Sequence, residues 1–263
     1  SLFIYYFSVL YNIKKIVFLF LFLSSALLAQ DNLFSQARAL FDEGKYSASQ
    51  AILNQLDLNG NITAEGMYLN ARCSKELFLS DAIFLYSELN EAFPYHQFKN
   101  EMNIDLALIY YREKNYNNAI AAFLNVTELS NEYLFKLAYA SFSVNALEDA
   151  QLYFSKIMDS DSKFSSTAQY YYGYIAYKRG LYSSALETFK KLLDDEKFGS
   201  IVPYYISQIY FFQKEYYQLI VFAKPLSEHV IASRRSEINR LLAEAYYRTG
   251  DFISAIGYFE DFI

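Results

Sequence analysis

The stretch YYYGYIAYKRGLYSSALETF, residues 170–189, sets the pattern on which the fold depends. It places two small residues, Gly173 and Ala185, twelve positions apart, and an aromatic residue, Phe189, four positions after the second. Where two helices cross, a small residue lets the backbones approach closely, and a residue one helical turn further on lies on the same face. The stretch therefore predicts a pair of helices joined by a short turn.

The same pattern of small and aromatic residues recurs along the chain at a nearly constant spacing. Its second small position occurs seven times, at intervals of 33, 37, 31, 35, 34 and 36 residues. In most copies the first small position lies twelve residues earlier, and in the second copy this spacing is one residue shorter. The second small positions are Ser49, Ala82, Ala119, Ala150, Ala185, 219 and Ala255, where Leu219 replaces the small residue in the sixth copy, and the first are Ala37, Ala107, Ala138, Gly173, Ser207 and Ala243. Such a period predicts stacked helical hairpins, whereas an irregular bundle would not repeat.

With this spacing the chain resembles tetratricopeptide-repeat proteins over nearly all of residues 31–263. The copies lack the tryptophan of the ideal repeat, and only Pro94 plainly matches its closing proline. The resemblance implies an all-α fold, a right-handed α-solenoid of about seven hairpins that occupies residues 30–263. A last hairpin ending here would leave Phe259 and Phe262 uncovered, so we expect the natural protein to continue past Ile263.

The first 29 residues have the character of a targeting segment. Lys14 and Lys15 are their only charges, and the apolar run IVFLFLFLSSALLA ends at Ala29, a small residue suited to cleavage. The run is shorter than the roughly 20 residues that span a bilayer. We expect a signal peptide at 1–29, with 1–12 as a spurious extension, and no stable membrane insertion after cleavage. This predicts a periplasmic or outer-membrane-associated protein.

The composition argues against several classes of function. The chain has a net charge of −6, and an acidic surface does not attract nucleic acid. Its single cysteine, Cys73, forms no internal disulfide and is expected in the core. The two histidines, His96 and His229, are far apart, and His96 is expected in a solvated loop after Pro94. We expect no enzymatic activity, no cofactor and no metal site, because no catalytic or ligand spacing occurs.

Aromatic residues cluster on one predicted face of the first helices. In such a stack the first helices line the concave wall, and the residues three before, one after and four after the small residue share that face. In three consecutive copies, eight of these nine positions are aromatic and the ninth is Gln208. The eight are Phe135, Tyr139, Phe142, Tyr170, Tyr174, Tyr177, Tyr204 and Phe211. They fit either a concave groove for a peptide or protein partner, or ordinary packing between repeats.

The segments FFQKEYYQLIVFAKPL (211–226) and ASRRSEINRLLAEAYYRTGDFISAI (232–256) are similar to those of large exported repeat proteins assigned to the TonB-dependent uptake system. This resemblance implies a non-enzymatic interaction scaffold of the bacterial cell envelope, with a protein or peptide partner in an envelope complex. One alternative is the sensory or regulatory half of a longer protein with an effector domain after residue 263. Another is cell-wall assembly, in which the aromatic groove would bind sugar by stacking.

Overall fold

The computed structural model describes residues 32–226 and 232–261, so the predicted signal peptide, His229 and Phe262 lie outside the described residues. The described ranges form fourteen helices and no strand. In the same ranges, none of the helices has the length and apolar run needed to cross a bilayer. The helices are 32–42 (α1), Tyr46–Leu58 (α2), Ala64–Glu76 (α3), Ala82–Ala92 (α4), Lys99–Arg112 (α5), Tyr116–Leu124 (α6), Asn131–Ser143 (α7), Leu147–Ser155 (α8), Ser165–Lys178 (α9), Tyr182–Lys190 (α10), Val202–Phe212 (α11), Tyr216–Ala223 (α12), Ala232–Thr249 (α13) and Phe252–Glu260 (α14).

The chain divides into two compact units. Within the described ranges, unit one contains residues 32–113 and 124–127, and unit two contains 114–123 and 128–261. In unit one, α3 packs against α2, α4 and α5. In unit two, each helix from α7 to α14 packs against the next, and α11 also packs against α13. Unit two is therefore a stack of helical hairpins, in which odd-numbered helices come first and even-numbered helices second.

The predicted small residues are all buried. In the first hairpin, the Ser49 hydroxyl donates a hydrogen bond to the Ala37 carbonyl at 2.7 Å, so the two small positions touch. In the second copy, the first small position is Ala71, which is buried eleven residues before Ala82. These contacts confirm that small side chains lie where helices of a hairpin meet.

In the fourth and fifth copies, the aromatic residue four positions after the second small residue fills the space between hairpins. Phe154 and Phe189 are fully buried. Phe154 stacks on Tyr171 of the next hairpin with ring centroids 5.2 Å apart, and Phe189 stacks on Tyr205 at 5.3 Å. Each tyrosine lies two positions before the small residue of its own helix. The predicted role of the aromatic position is confirmed at these two interfaces.

A residue with left-handed backbone follows each first helix and turns the chain into the second helix. Among the described residues, glycine occupies this position in three hairpins and a larger residue in four. At the end of α11, Lys214 has a φ of 60°, and the next amide, of Glu215, donates to the Tyr210 carbonyl at 2.8 Å. This conformation destabilises a residue other than glycine by about 1 kcal/mol, because its Cβ crowds the backbone. The seven residues are Gly44, Phe78, Lys114, Asn145, Gly180, Lys214 and Gly250.

We expect Lys214→Gly to raise the free energy of unfolding by up to about 1 kcal/mol, because it removes the left-handed strain. Gly180→Ala, which introduces the same strain one hairpin earlier, should lower the free energy by about as much. Urea unfolding of both variants measures the difference. A loss of stability in Lys214→Gly would show that the lysine side chain contributes more than its backbone costs.

His96 and the single cysteine, Cys73, both lie in the interior of unit one. Cys73 is fully buried, as predicted. The His96 side chain is only 9% exposed, and its Nδ1 accepts a hydrogen bond from the Phe98 amide at 3.1 Å. Burial, with a smaller effect of Lys99, lowers the pKa of His96. The prediction of a solvated loop histidine is wrong, because the turn after Pro94 packs the imidazole against the Phe98 ring.

Candidate functional site

The eight residues predicted to bind a partner lie on three first helices of unit two. Each of them is half-buried. We call these residues, together with the half-buried Gln208, the aromatic face. Its members are Phe135, Tyr139 and Phe142 on α7, Tyr170, Tyr174 and Tyr177 on α9, and Tyr204, Gln208 and Phe211 on α11.

Ring contacts join the three helices of the aromatic face. Phe142 on α7 lies 6.1 Å from Tyr174 on α9, measured between ring centroids. Tyr174 and Tyr177 both pack edge-on against Tyr205 of α11, at 5.8 and 5.4 Å. The structure therefore brings the predicted residues together as one continuous surface rather than as separate patches.

Two rings of the aromatic face, Phe135 and Tyr170, also take part in packing within and between repeats. Phe135 lies 5.6 Å from Phe154 and 5.1 Å from Phe164. Tyr170 stacks on Phe198 of the following inter-repeat segment, with centroids 4.6 Å apart. The same side chains thus hold neighbouring hairpins together and keep part of their surface accessible. Both interpretations of the aromatic cluster are compatible with this geometry.

Hydrogen bonds add a polar edge to the aromatic face. The Tyr177 hydroxyl donates to Gln208 Oε1 at 2.5 Å, and Gln208 Nε2 donates to the Tyr204 hydroxyl oxygen at 2.7 Å. Burial, and then the neighbouring Tyr204, raise the pKa of Tyr177 to about 12. Burial also raises the pKa of Tyr170. These two tyrosines stay protonated at neutral pH and can act as hydrogen-bond donors.

Tyr205, a ring that contacts several members of the aromatic face, is absent from the predicted set. It is 9% exposed and contacts Tyr170, Tyr174, Tyr177 and Phe189. The sequence carried a signal for it, because the fifth and sixth copies both have tyrosine two positions before the small residue. This position supports the aromatic face from beneath.

A buried charge cluster ties three helices of unit one together. Asp105 of α5 is 6% exposed and accepts a hydrogen bond from the Tyr86 hydroxyl of α4 at 2.9 Å. Lys75 of α3 forms an ion pair with the same carboxylate, and Tyr68 Oη lies 3.4 Å from it. Burial, and then the Asp105 charge, raise the pKa of Tyr68. The carboxylate oxygens thus receive their donors from α3 and α4 within unit one.

A second surface, an apolar cleft, lies between α10, α11 and α12. Its volume is about 910 Å³, and its described lining includes none of the eight predicted residues. Tyr217 and Val221, one helical turn apart on α12, line it and are 71% and 77% exposed. Among the described residues, no group of three or more His, Cys, Asp or Glu side chains could hold a metal ion.

Comparison with known families identifies the repeat. A tetratricopeptide-repeat family model matches residues 135–199, which run from α7 to the segment before α11. This region carries six of the eight predicted binding residues. Over residues 135–199 the match agrees with the tetratricopeptide resemblance that the spacing of the sequence predicted. No curated protein sequence matches this chain.

Solved structures share the same helical architecture. Two structures of MamA, one of them from AMB-1, each superpose with a TM-score of 0.52 and cover 63% of this chain and 90% of their own. Their sequences are 13% and 17% identical to this one. A tetratricopeptide repeat protein from Parabacteroides merdae, 13% identical, aligns over 88% of this chain and 91% of its own with a TM-score of 0.49. At such identities the MamA structures bear on the fold alone.

Proposed function

We propose that this protein is a non-enzymatic interaction scaffold of the bacterial cell envelope, and that the aromatic face binds a peptide or protein partner. Tetratricopeptide repeats generally mediate protein–protein interaction, which supports a protein partner for residues 135–199. The observation that carries the proposal is the continuity of half-buried rings over three consecutive first helices.

The chemistry of the face suits a peptide. Tyrosine and phenylalanine offer a large contact area with few rotatable bonds, so little conformational entropy is lost on binding. The Tyr177 and Tyr204 hydroxyls and the Gln208 amide provide polar groups beside the rings. Peptide-recognition grooves combine these two features.

The proposed cellular setting rests on the first 29 residues. Their lysine pair and apolar run support export, which would place the scaffold in the periplasm or at the outer membrane. The resemblance to exported repeat proteins suggests an envelope complex, such as that of the TonB-dependent uptake system. Fractionation of cells that express the full-length protein tests this location.

Photo-crosslinking in the native cells tests the aromatic face. We expect p-benzoylphenylalanine in place of Tyr174 to give discrete protein adducts, because this half-buried position contacts Phe142 of the face and rests on Tyr205 beneath it. The same crosslinker in place of Leu152, which is 53% exposed on the second helix α8, is the matched control. Mass spectrometry of the adducts identifies the partner.

Introducing Phe142→Ala should remove the Tyr174 adducts while the helical circular dichroism signal is retained. Identical adducts at Tyr174 and Leu152, or none at Tyr174, would contradict the proposal. Adducts with peptidoglycan fragments instead of protein would favour sugar stacking. Loss of helical signal in Phe142→Ala would show that the ring is needed for packing first.

A further inference from the structure

The hydrogen bonds of the aromatic face run in one direction. Because Gln208 Oε1 accepts from Tyr177, its Nε2 is the group that donates to Tyr204. The Tyr204 oxygen thus accepts the hydrogen bond from Gln208, and the Tyr204 hydroxyl proton points away from Gln208. Within the described ranges, the Tyr204 hydroxyl donates to no acceptor. This series of hydrogen bonds therefore ends in the Tyr204 O–H group, which can donate to an acceptor atom of a ligand.

A cation lies over the ring that carries this hydroxyl. The guanidinium carbon of Arg234 is 4.4 Å from the centroid of the Tyr204 ring. Among the described residues, its ion-pair partner is Glu237, one turn along the helix. The Arg234 Nη1–Glu237 Oε1 distance is long, at 3.7 Å, and both side chains are more than a third exposed. Guanidinium has five N–H donors, so most of them remain available for a ligand.

The local charge also differs from that of the whole chain. Helix α13 carries four arginines and two acidic residues, whereas the chain as a whole is acidic at −6. Arg234 lies in the first turn of this long helix, where the helix dipole adds a partial positive charge. An anionic group is therefore favoured at this end of the aromatic face.

We propose that the ligand of the aromatic face carries a carboxylate next to aromatic or apolar side chains, and that the carboxylate binds the Tyr204 hydroxyl and Arg234. This inference rests on the proposed peptide-binding function. A carboxylate accepts from a hydroxyl and a guanidinium together, and such charge-assisted bonds are stronger than neutral ones. The rings of Tyr174 and Tyr177 would hold the apolar neighbours of the acid.

Selection from a random peptide library displayed on phage, against the purified full chain, tests the inference. We expect selected peptides to be enriched in Glu or Asp beside Phe, Tyr or Leu. Arg234→Gln and Tyr204→Phe should lose the acidic preference and keep the aromatic one. Arg235→Gln is the matched control, because that neighbouring arginine lines a separate cleft with Ser236, Asn239 and Asp261.

Synthetic copies of the selected peptides locate the carboxylate. With an amidated C-terminus, Glu→Gln should weaken binding about 10-fold or more, the loss expected for a charge-assisted hydrogen bond. Recovery of the Gln peptide by a free C-terminus would assign the carboxylate to the chain end instead of a side chain. Selected peptides without acids, or an acidic preference that survives in Arg234→Gln, would overturn the inference. Failure to select any peptide, or unchanged selection by Phe142→Ala with Tyr174→Ala, would reject the peptide-binding function itself.

Discussion

Phe189→Ala is expected to lower the free energy of unfolding by about 3–5 kcal/mol, the range for truncating a buried phenylalanine. The ring is fully buried, lies over Gly173 and stacks on Tyr205 with centroids 5.3 Å apart. Its removal would leave a cavity between two hairpins and take away the support beneath Tyr170 and Tyr205. Urea unfolding followed by circular dichroism measures the loss.

Phe212→Ala provides the matched control for this result. Phe212 is also aromatic and in unit two, but it is 49% exposed, so its truncation leaves no closed cavity. We expect its cost to be about 1 kcal/mol, since about half of the residue already faces water. Equal losses for the two variants would mean that burial of the repeated aromatic position is not what stabilises the hairpin stack.

Asp105→Ala is expected to cost about 3–5 kcal/mol, because it removes the buried counter-charge of the Lys75 ammonium and leaves it only the more exposed Glu76 carboxylate, 3.0 Å away. Burial, the largest single effect, would by itself lower the pKa of Lys75, but the charge and hydrogen bond of Asp105, together with Glu76, outweigh it and raise the pKa, so the lysine stays charged at neutral pH. The Tyr86 hydroxyl, on a fully buried side chain, would lose its acceptor as well. Urea unfolding is again the measurement.

A double-mutant cycle with Tyr86→Phe separates this cluster from general packing. Once Asp105 is alanine, removal of the Tyr86 hydroxyl deletes an unsatisfied donor, so the double variant should lose less than the sum of the single losses. Asp149→Ala, at an exposed carboxylate of α8, should change stability by no more than about 0.5 kcal/mol. Additive losses in the cycle would contradict a shared network.

The repeated hairpins could be predicted because their requirement is steric and local. A small residue at each crossing, and an aromatic residue one turn later, leave a visible period in the sequence, as at Gly173, Ala185 and Phe189. The same counting placed the aromatic face on the three first helices that carry it. In both cases one residue type recurs at one helical position.

Other features depend on pairs of residues from different copies and leave no such period. Two positions before the first small residue, the fifth and sixth copies have tyrosines, Tyr171 and Tyr205. The third copy has Asp105 at this position, and its carboxylate accepts a hydrogen bond from Tyr86 of the preceding hairpin. The left-handed turn at Lys214, with a φ of 60°, could not be predicted from the sequence, because no glycine marks it. The buried His96 depends on the course of one turn.

The close crossing of paired helices is tested most directly by the sign of one substitution, Gly173→Ala. In an open helix interior, glycine to alanine raises stability by about 0.5–1 kcal/mol. Gly257 of α14, which has nothing within 4 Å of an added Cβ, should show this gain. At Gly173 an added Cβ would lie 2.9 Å from the buried Phe189 ring, so urea unfolding should show a loss of about 1–3 kcal/mol that shrinks in a Phe189→Leu background. A gain at Gly173 equal to that at Gly257 would contradict the close packing on which the hairpins and the aromatic face depend.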